Sequence, residues 1–143
     1  FEFDYYHRIN AMKFNPEIPV YGDVSFRGKC ASEEDEQRTF LNQLRIHHPD
    51  LFAVVVHPKN EGKRTMAQVA MDKSSGSIKT GASDIIIPCS PPLIIELKKQ
   101  DHTKSHWCKG QQEYLLATQK LGACVCVALG WKAAIEFVAA NRK

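Results

Sequence analysis

The sequence lacks any apolar run that approaches the ~20 residues of a membrane-spanning helix, and it lacks a signal-peptide pattern. It also contains no internal repeat, no helix-turn-helix and no zinc-finger spacing. These absences predict a cytoplasmic protein with no membrane partner, and they argue against sequence-specific DNA recognition.

Cysteine spacing excludes the common disulfide and metal frameworks. The chain has five cysteines, an odd number, and no Cys-x-x-Cys. A reducing compartment fits this pattern. Cys124 and Cys126 share one face of a predicted strand and are expected to be buried apolar fillers. His102, His106 and Cys108 leave zinc as an alternative, although the matching Cys or His pair is missing.

Composition and length are those of one ordinary globular domain. Hydrophobic residues make up 43% and charged residues 24% of the chain, and the net charge is only +3. A domain of 143 residues can bury roughly 68–70% of its unfolded surface. The small positive charge permits nucleic-acid binding only where the cations cluster.

Periodicity predicts alternating helices and strands. The first predicted helix is capped by Ser32, runs to about Ile46 and is closed by Pro49. A strand over Phe52–His57, a helix over Lys63–Lys73 and a hairpin over 84–98 are expected to follow. The chain then continues with a helix over about 106–121, capped by Ser105 and stopped by Gly122, a strand over Ala123–Leu129 and a helix over Trp131–Asn141. This order predicts an α/β layer fold with a mixed sheet.

Residues 1–31 have no clear period and form an aromatic-rich N-terminal segment, ahead of one domain over residues 32–143. The segment is too aromatic for a simple disordered tail. Two interpretations stay open: its aromatic side chains cover their own domain, or they contact a partner subunit with Tyr5, Tyr6 and Phe14 as anchors.

The hairpin carries the most informative pattern. Proline-rich residues 88–92 favour a turn between two apolar runs. Folding about Ser90 pairs Ile87 with Leu93, Ile86 with Ile94 and Ile85 with Ile95, and it then sets Asp84 opposite Glu96. Opposed residues have Cβ atoms about 5 Å apart, where like charges repel, so a cation between the two carboxylates is the natural relief.

Glu96 and Lys98 lie two residues apart, so in a strand both point to one face while Leu97 points into the core. An ordinary edge hairpin with a Glu96–Lys98 ion pair is the alternative. The near-continuous apolar runs favour instead a central sheet that is buried on both faces. Two acids and a lysine around a divalent metal are the parts needed to hydrolyse a phosphodiester.

These residues carry a family resemblance. Asp84 followed by Glu96-Leu97-Lys98 resembles the PD-(D/E)xK nuclease motif, and the flanking residues resemble the VRR-NUC family, the virus-type replication-repair nucleases. The flanking matches are His57-Pro58-Lys59-Asn60-Glu61-Gly62, Lys79-Thr80-Gly81-Ala82-Ser83-Asp84 with Ala82-Ser83 where a proline is commoner, Gln111 eleven residues before Gly122, and Ser32-Glu33 with Gln37. The resemblance covers about Ser32 to Asn141.

The resemblance implies a restriction-endonuclease-like core with a mixed central sheet flanked by helices, and a Mg²⁺- or Mn²⁺-dependent endodeoxyribonuclease. Asp84, Glu96 and the peptide carbonyl of Leu97 would hold the metal. Lys98 would position or polarise the attacking water and stabilise the transition state. Gln111 would orient a water or a phosphate; the alternative is an ordinary solvated helix glutamine.

The first helix offers a further acid. The resemblance favours Glu33, because the family pairs its helix glutamate with a glutamine four residues on, here Gln37. Glu36 lies close to the same face and is the second candidate. Acidic first turns are also common because the helix dipole favours them.

DNA contacts are expected from positively charged and amide side chains around the predicted site, which would bind phosphates without reading bases. The candidates are Lys59, Asn60, Lys63, Arg64, Lys79, Lys99, Lys104 and Lys109. A solvated charged face is the alternative for each of them.

The small stand-alone members that the chain resembles look like dimeric Holliday-junction resolvases. This implies a homodimer that cuts branched DNA in DNA repair, in a bacterial or phage-infected cell. The alternatives are a less selective nick, flap or single-strand nuclease, a non-catalytic nucleic-acid-binding accessory module, and a subunit that acts mainly through partners.

Overall fold

The computed structural model describes residues 14–57, 85–107 and 110–143. Predictions on Asp84, on the helix over Lys63–Lys73 and on Cys108 lie outside these ranges. No helix within them is long and apolar enough to cross a membrane.

Four strands in the described ranges form one mixed sheet. They are β1 (Val20–Tyr21), β2 (Ile85–Ile87), β3 (Leu93–Lys98) and β4 (Cys124–Leu129). The spatial order is β1-β4-β3-β2, with β4 parallel to both β1 and β3, and β2 antiparallel to β3. The carboxyl ends of β1, β3 and β4 therefore meet at one edge of the sheet.

Helices cover both faces of this sheet, which confirms the predicted α/β fold class. They are α1 (Glu33–His47), α2 (Pro49–Phe52), α3 (Gln111–Lys120), α4 (Trp131–Asn141) and a 3₁₀ turn over His102–Lys104. The α1 start follows from the sequence: Ser32 Oγ accepts a hydrogen bond from Asp35 N at 3.1 Å, and four acids occupy the first turn. The predicted bounds of α4 are confirmed, and β4 begins one residue later than predicted.

The hairpin register is confirmed. Ile87 pairs with Leu93, Ile86 with Ile94, and Ile85 with Ile95. Every residue of β3 is buried, because β3 is a central strand with helices on both faces. The strand that carries Glu96 and Lys98 is therefore not an edge strand, while β2 lies at the end of the described sheet.

The predicted strand over Phe52–His57 is wrong for the described residues. Pro49 ends α1 and also begins α2, because its fixed φ suits the first turn of a helix. Of the β-branched run that follows, Val56 forms an isolated antiparallel bridge with Ile86, through backbone hydrogen bonds of 2.8 and 2.7 Å.

The predicted start of the helix over about 106–121 is also wrong. The chain first forms the 3₁₀ turn, and Ser105 ends that turn instead of capping a helix. Ser105 Oγ accepts from the backbone N–H of Lys99 at 2.9 Å, so its hydroxyl is used to fold the turn back on β3. α3 begins five residues later than predicted, after Gly110, whose φ of 90° is left-handed.

Two apolar clusters fill the two faces of the sheet. Odd residues of β3 and even residues of β4 pack against α1 and α4, with Phe40, Leu44 and Phe137 at the centre. The opposite face packs Ile94 and Val127 against Leu115 of α3. Cys126 is fully buried in the first cluster and Cys124 packs against it, as predicted for apolar fillers. Burial raises the pKa of the Cys126 thiol well above its usual value.

The described part of the N-terminal segment packs on its own domain. β1 pairs with β4, and Phe14 and Ile18 are buried in the cluster that faces α3. Phe14 stacks on His102 at a centroid distance of 5.4 Å and meets Trp107 edge-on at 5.7 Å. Phe14 is therefore an intramolecular core residue, and the prediction of a dimer anchor at this position is wrong. Tyr5 and Tyr6 lie outside the described ranges.

Candidate active site

Glu96 and Lys98 lie side by side on the sheet face that packs against α3. Their neighbour Ile94 points to the same face, and Leu97 points to the opposite core, as the period of a strand requires. Glu96 is fully buried, and only 2% of the surface of Lys98 is exposed. Burying two charged groups on a central strand costs free energy unless each has close partners. This placement therefore indicates a site in which both charges have such partners.

Lys98 is held by contacts from the chain after β3. Its Nζ donates to the backbone carbonyl of His106 at 2.6 Å and to Oε1 of Gln111 at 3.2 Å. The same ammonium lies 4.4 Å from the centroid of the Trp107 ring, within the range of a cation–π interaction. Two oxygens and a π face thus surround the cation.

Gln111 bridges the two charged residues. Its Nε2 donates to Oε2 of Glu96 at 3.3 Å while its Oε1 accepts from Lys98. Gln111 is the first residue of α3, and the left-handed Gly110 before it turns the chain into the helix at this point. The neighbouring Gln112 faces elsewhere, since its Oε1 accepts from the backbone N–H of Asn15 at 2.9 Å. The predicted Gln111 is thus brought to Glu96 and Lys98, and it is not a solvated side chain.

The two helix acids differ in placement. Glu36 is 2% exposed, while Glu33 is half-buried. Oε2 of Glu36 accepts from Nε2 of Gln100 at 3.4 Å, just beyond the end of β3. Gly130 lies beside this carboxylate: its φ of 96° is left-handed and favours glycine, and a Cβ there would lie 2.7 Å from Glu36 Oε2. Glu36 is therefore the acid that α1 buries at the carboxyl edge of the sheet.

A cavity of about 420 Å³ opens at the same edge, between the residues after β4 and the N-terminal segment. Its walls include Gln100, Gly130, Phe26 and Trp131. Gln100 links this cavity to Glu36.

Several predicted site residues lie outside the described ranges. These are Asp84, Lys59, Asn60, Lys63, Arg64, Lys79 and Lys109. The pairing of Asp84 with Glu96 and the predicted DNA contacts of these residues stay predictions.

The two described DNA-binding candidates lie near the 3₁₀ turn. Lys99 is half-buried, and Lys104 is exposed with its Nζ donating to the carbonyl of Gly28 at 2.8 Å. Their predicted contacts with DNA stay predictions.

His102 is packed against the aromatic side chain of Phe14 in the protein interior. It is 8% exposed against Phe14, and burial together with the nearby Arg27 guanidinium lowers its pKa. His106, by contrast, is exposed. Within the described ranges no three His, Cys, Asp or Glu side chains lie close enough to hold a metal, and Cys108 of the predicted zinc group lies outside them.

The chemistry of the predicted magnesium ligands fits a hard cation. Mg²⁺ and Mn²⁺ take carboxylate and carbonyl oxygens. Glu96 supplies a buried carboxylate and Leu97 a backbone carbonyl in the next position of the same strand. Asp84 would supply the second carboxylate of that set.

Two contacts of Lys98 escaped prediction from the sequence. The carbonyl of His106 carries no residue-specific signal, because every residue has one. Trp107 is one aromatic residue within the predicted helix over about 106–121, and nothing in the sequence relates it to Lys98. Its proximity to Lys98 depends on the 3₁₀ turn and the late start of α3.

A comparison with solved structures shows what this fold is similar to. A protein described as a "VRR_NUC domain protein" superimposes with a TM-score of 0.66 and 24% sequence identity, over 82% of this chain and 91% of that chain. No family model matches the sequence, and no curated protein matches it. The chain has the fold of that VRR_NUC protein, so the resemblance inferred from the motifs is confirmed at the level of the fold.

Proposed function

We propose that this chain is a nuclease of the VRR-NUC family that hydrolyses phosphodiester bonds in DNA with the help of Mg²⁺ or Mn²⁺. One observation carries the proposal: Glu96 and Lys98 are buried side by side and bridged by Gln111. This places the acid, the lysine and the glutamine of the motif together, within a fold shared with a VRR_NUC domain protein.

The metal would be held by Asp84, Glu96 and the peptide carbonyl of Leu97. When bound, it supplies a Lewis acid that lowers the pKa of water and offsets the negative charge of the phosphate. Glu96 contributes a carboxylate that is already fixed, because Gln111 and the buried β3 backbone hold it in place.

Lys98 would act on the reacting groups, and Gln111 would position Lys98 and Glu96. The ammonium of Lys98 would stabilise the charge that develops on the phosphate oxygens, and it would position the attacking water. Gln111 keeps the lysine and the carboxylate in one geometry, so little reorganisation accompanies the reaction. From the first helix, we favour Glu36 over Glu33 as the further acid because α1 buries Glu36 at this edge.

For the substrate, we propose branched DNA cut by a homodimer. A four-way junction is nearly two-fold symmetric and needs two matched cuts, which a two-fold dimer supplies. One domain of this kind offers one candidate site. Light scattering at micromolar concentration tests the assembly: a monomer with full junction-cleaving activity would refute the dimer.

The activity is tested with labelled junctions, flaps, nicked duplexes and single strands, each incubated with and without Mg²⁺ or Mn²⁺. We expect metal-dependent cleavage, with junctions cut preferentially. Binding without cleavage under every metal condition would favour the alternative of a non-catalytic accessory module. Cleavage of all substrates at similar rates would retain the nuclease and exclude junction selectivity.

A further inference from the structure

The chain after β3 returns to the site through the segment Ser105–Trp107. Ser105 fixes the start of this return, because its hydroxyl accepts from the backbone N–H of Lys99. The carbonyl of His106 and the ring of Trp107 then both contact the Lys98 ammonium. Neither contact comes from a residue of the nuclease motif.

Trp107 is itself held in place by a second aromatic contact. Phe14 meets the Trp107 ring edge-on, with an interplanar angle of 77°, and His102 packs on Phe14. A series of ring contacts, His102–Phe14–Trp107, therefore runs from the 3₁₀ turn, through the N-terminal segment, to the residue that contacts the lysine. A half-buried indole with fixed neighbours loses little freedom when it holds a cation.

From these contacts we infer that Trp107 is a positioning residue for Lys98: its indole face fixes the ammonium beside Glu96 during cleavage. The inference rests on the proposed nuclease function for its kinetic consequence, and on geometry alone for the contact. A lysine has a flexible four-carbon stem, so an indole ring packed against its ammonium limits the positions that the charge can take. The carbonyl of His106 and the amide of Gln111 supply the remaining restraints.

The kinetic test compares Trp107→Phe, Trp107→Leu and Lys98→Met under single-turnover conditions. We expect Trp107→Leu to lower the cleavage rate constant about tenfold, the size expected for losing one desolvated cation–π contact. The DNA concentration for half-maximal rate should stay within about twofold, since the contact is to the lysine and not to DNA. Trp107→Phe should retain most of the rate, because it keeps an aromatic face.

A double-mutant cycle separates positioning from a general structural effect. Adding Trp107→Leu to Lys98→Met should lower the residual rate no further, because the indole acts through the lysine. The matched control is Phe52→Leu, at an exposed aromatic residue of α2, which should leave the rate unchanged. An equal loss in both backgrounds, or the same loss in the control, would overturn the inference.

A measurement that needs no cleavage tests the contact directly. In NMR spectra the ε-methylene protons of Lys98, assigned by their loss in Lys98→Met, should be shifted upfield by the indole ring current. Trp107→Leu should return them to the ordinary lysine position while the control Phe52→Leu does not. An unshifted Lys98 in the wild type would refute the positioning role. If the wild type cleaves no DNA but the shift is present, the proposed function fails while the contact stands.

Discussion

The amide oxygen of Gln111 accepts a hydrogen bond from the ammonium of Lys98 at 3.2 Å, across thirteen residues of chain. This contact joins the end of a central strand to the first residue of a helix. Since the amide nitrogen of Gln111 donates to Glu96, the glutamine sets the relative position of the acid and the lysine. The first two predictions follow from this arrangement.

Glu96→Gln should lower metal-dependent cleavage by at least about hundredfold, a size typical of losing one electrostatic contact to a transition state. The change keeps the side-chain shape and removes the carboxylate that would hold the metal. Cleavage rates under saturating Mg²⁺ measure the effect. The control is Glu113→Gln, an exposed glutamate on α3 with the same change of charge. Near wild-type cleavage by Glu96→Gln would show that the site is assigned wrongly.

Gln111→Ala and Gln112→Ala should have different effects although the residues are adjacent. Gln111→Ala should slow cleavage about ten- to hundredfold, because a hydrogen bond to a charged group contributes about 1.5–3 kcal/mol. Gln112→Ala should leave the rate unchanged and lower the melting temperature, because Gln112 Oε1 accepts from Asn15 N and ties down the N-terminal segment. Rates and melting curves of both variants test this contrast, and equal rates would contradict it.

Mg²⁺ or Mn²⁺ should raise the melting temperature of the wild-type protein. A ligand that binds only the folded state stabilises it by about 2.7 kcal/mol when its concentration is 100 times its dissociation constant. The increase should vanish in Asp84→Ala and Glu96→Ala and persist in Glu113→Gln. Scanning fluorimetry over a metal titration measures it, and an undiminished increase in both alanine variants would place the metal elsewhere.

Asp101→Asn should weaken the fold at neutral pH and flatten its response to acid. Hydrogen bonds from the Thr103 side chain and from Gly28 N–H lower the pKa of Asp101 from 3.8 to about 2. A carboxyl with a lowered folded-state pKa stabilises the protein above its unfolded pKa, and this stability is lost as the pH falls through the folded value. The window is therefore between about 4 and 2.

The measurement for Asp101 is the melting temperature of both proteins from pH 7 to pH 2. The gap between wild type and Asp101→Asn should be widest at pH 7 and should narrow below pH 4. Glu34→Gln, an exposed acid in the first turn of α1, removes one carboxylate without these hydrogen bonds and serves as the control. A gap that is constant with pH would show that Asp101 contributes through packing alone.

The apolar hairpin, its register and the bounds of α4 could be predicted from the sequence, because each depends on neighbours close in the chain. A proline-rich turn between two runs of β-branched residues leaves few registers that bury both faces. The pattern Glu96-Leu97-Lys98 likewise fixes which side chains share a face, since the period of a strand is two. The resemblance of this pattern and its flanking residues to the VRR-NUC family in turn predicted the fold.

Other features were decided only by tertiary contacts. The β-branched run at 54–56 predicts a strand, yet Pro49 starts a helical turn before it, and within the described residues the run forms one isolated bridge, at Val56. The burial of Glu36 and the partial exposure of Glu33 depend on how α1 packs near Gly130, one position after β4. The contact between Trp107 and Lys98 requires the 3₁₀ turn to bring residues nine apart together. Local pattern fixes which face a side chain takes, while the packing of distant elements decides what that face meets.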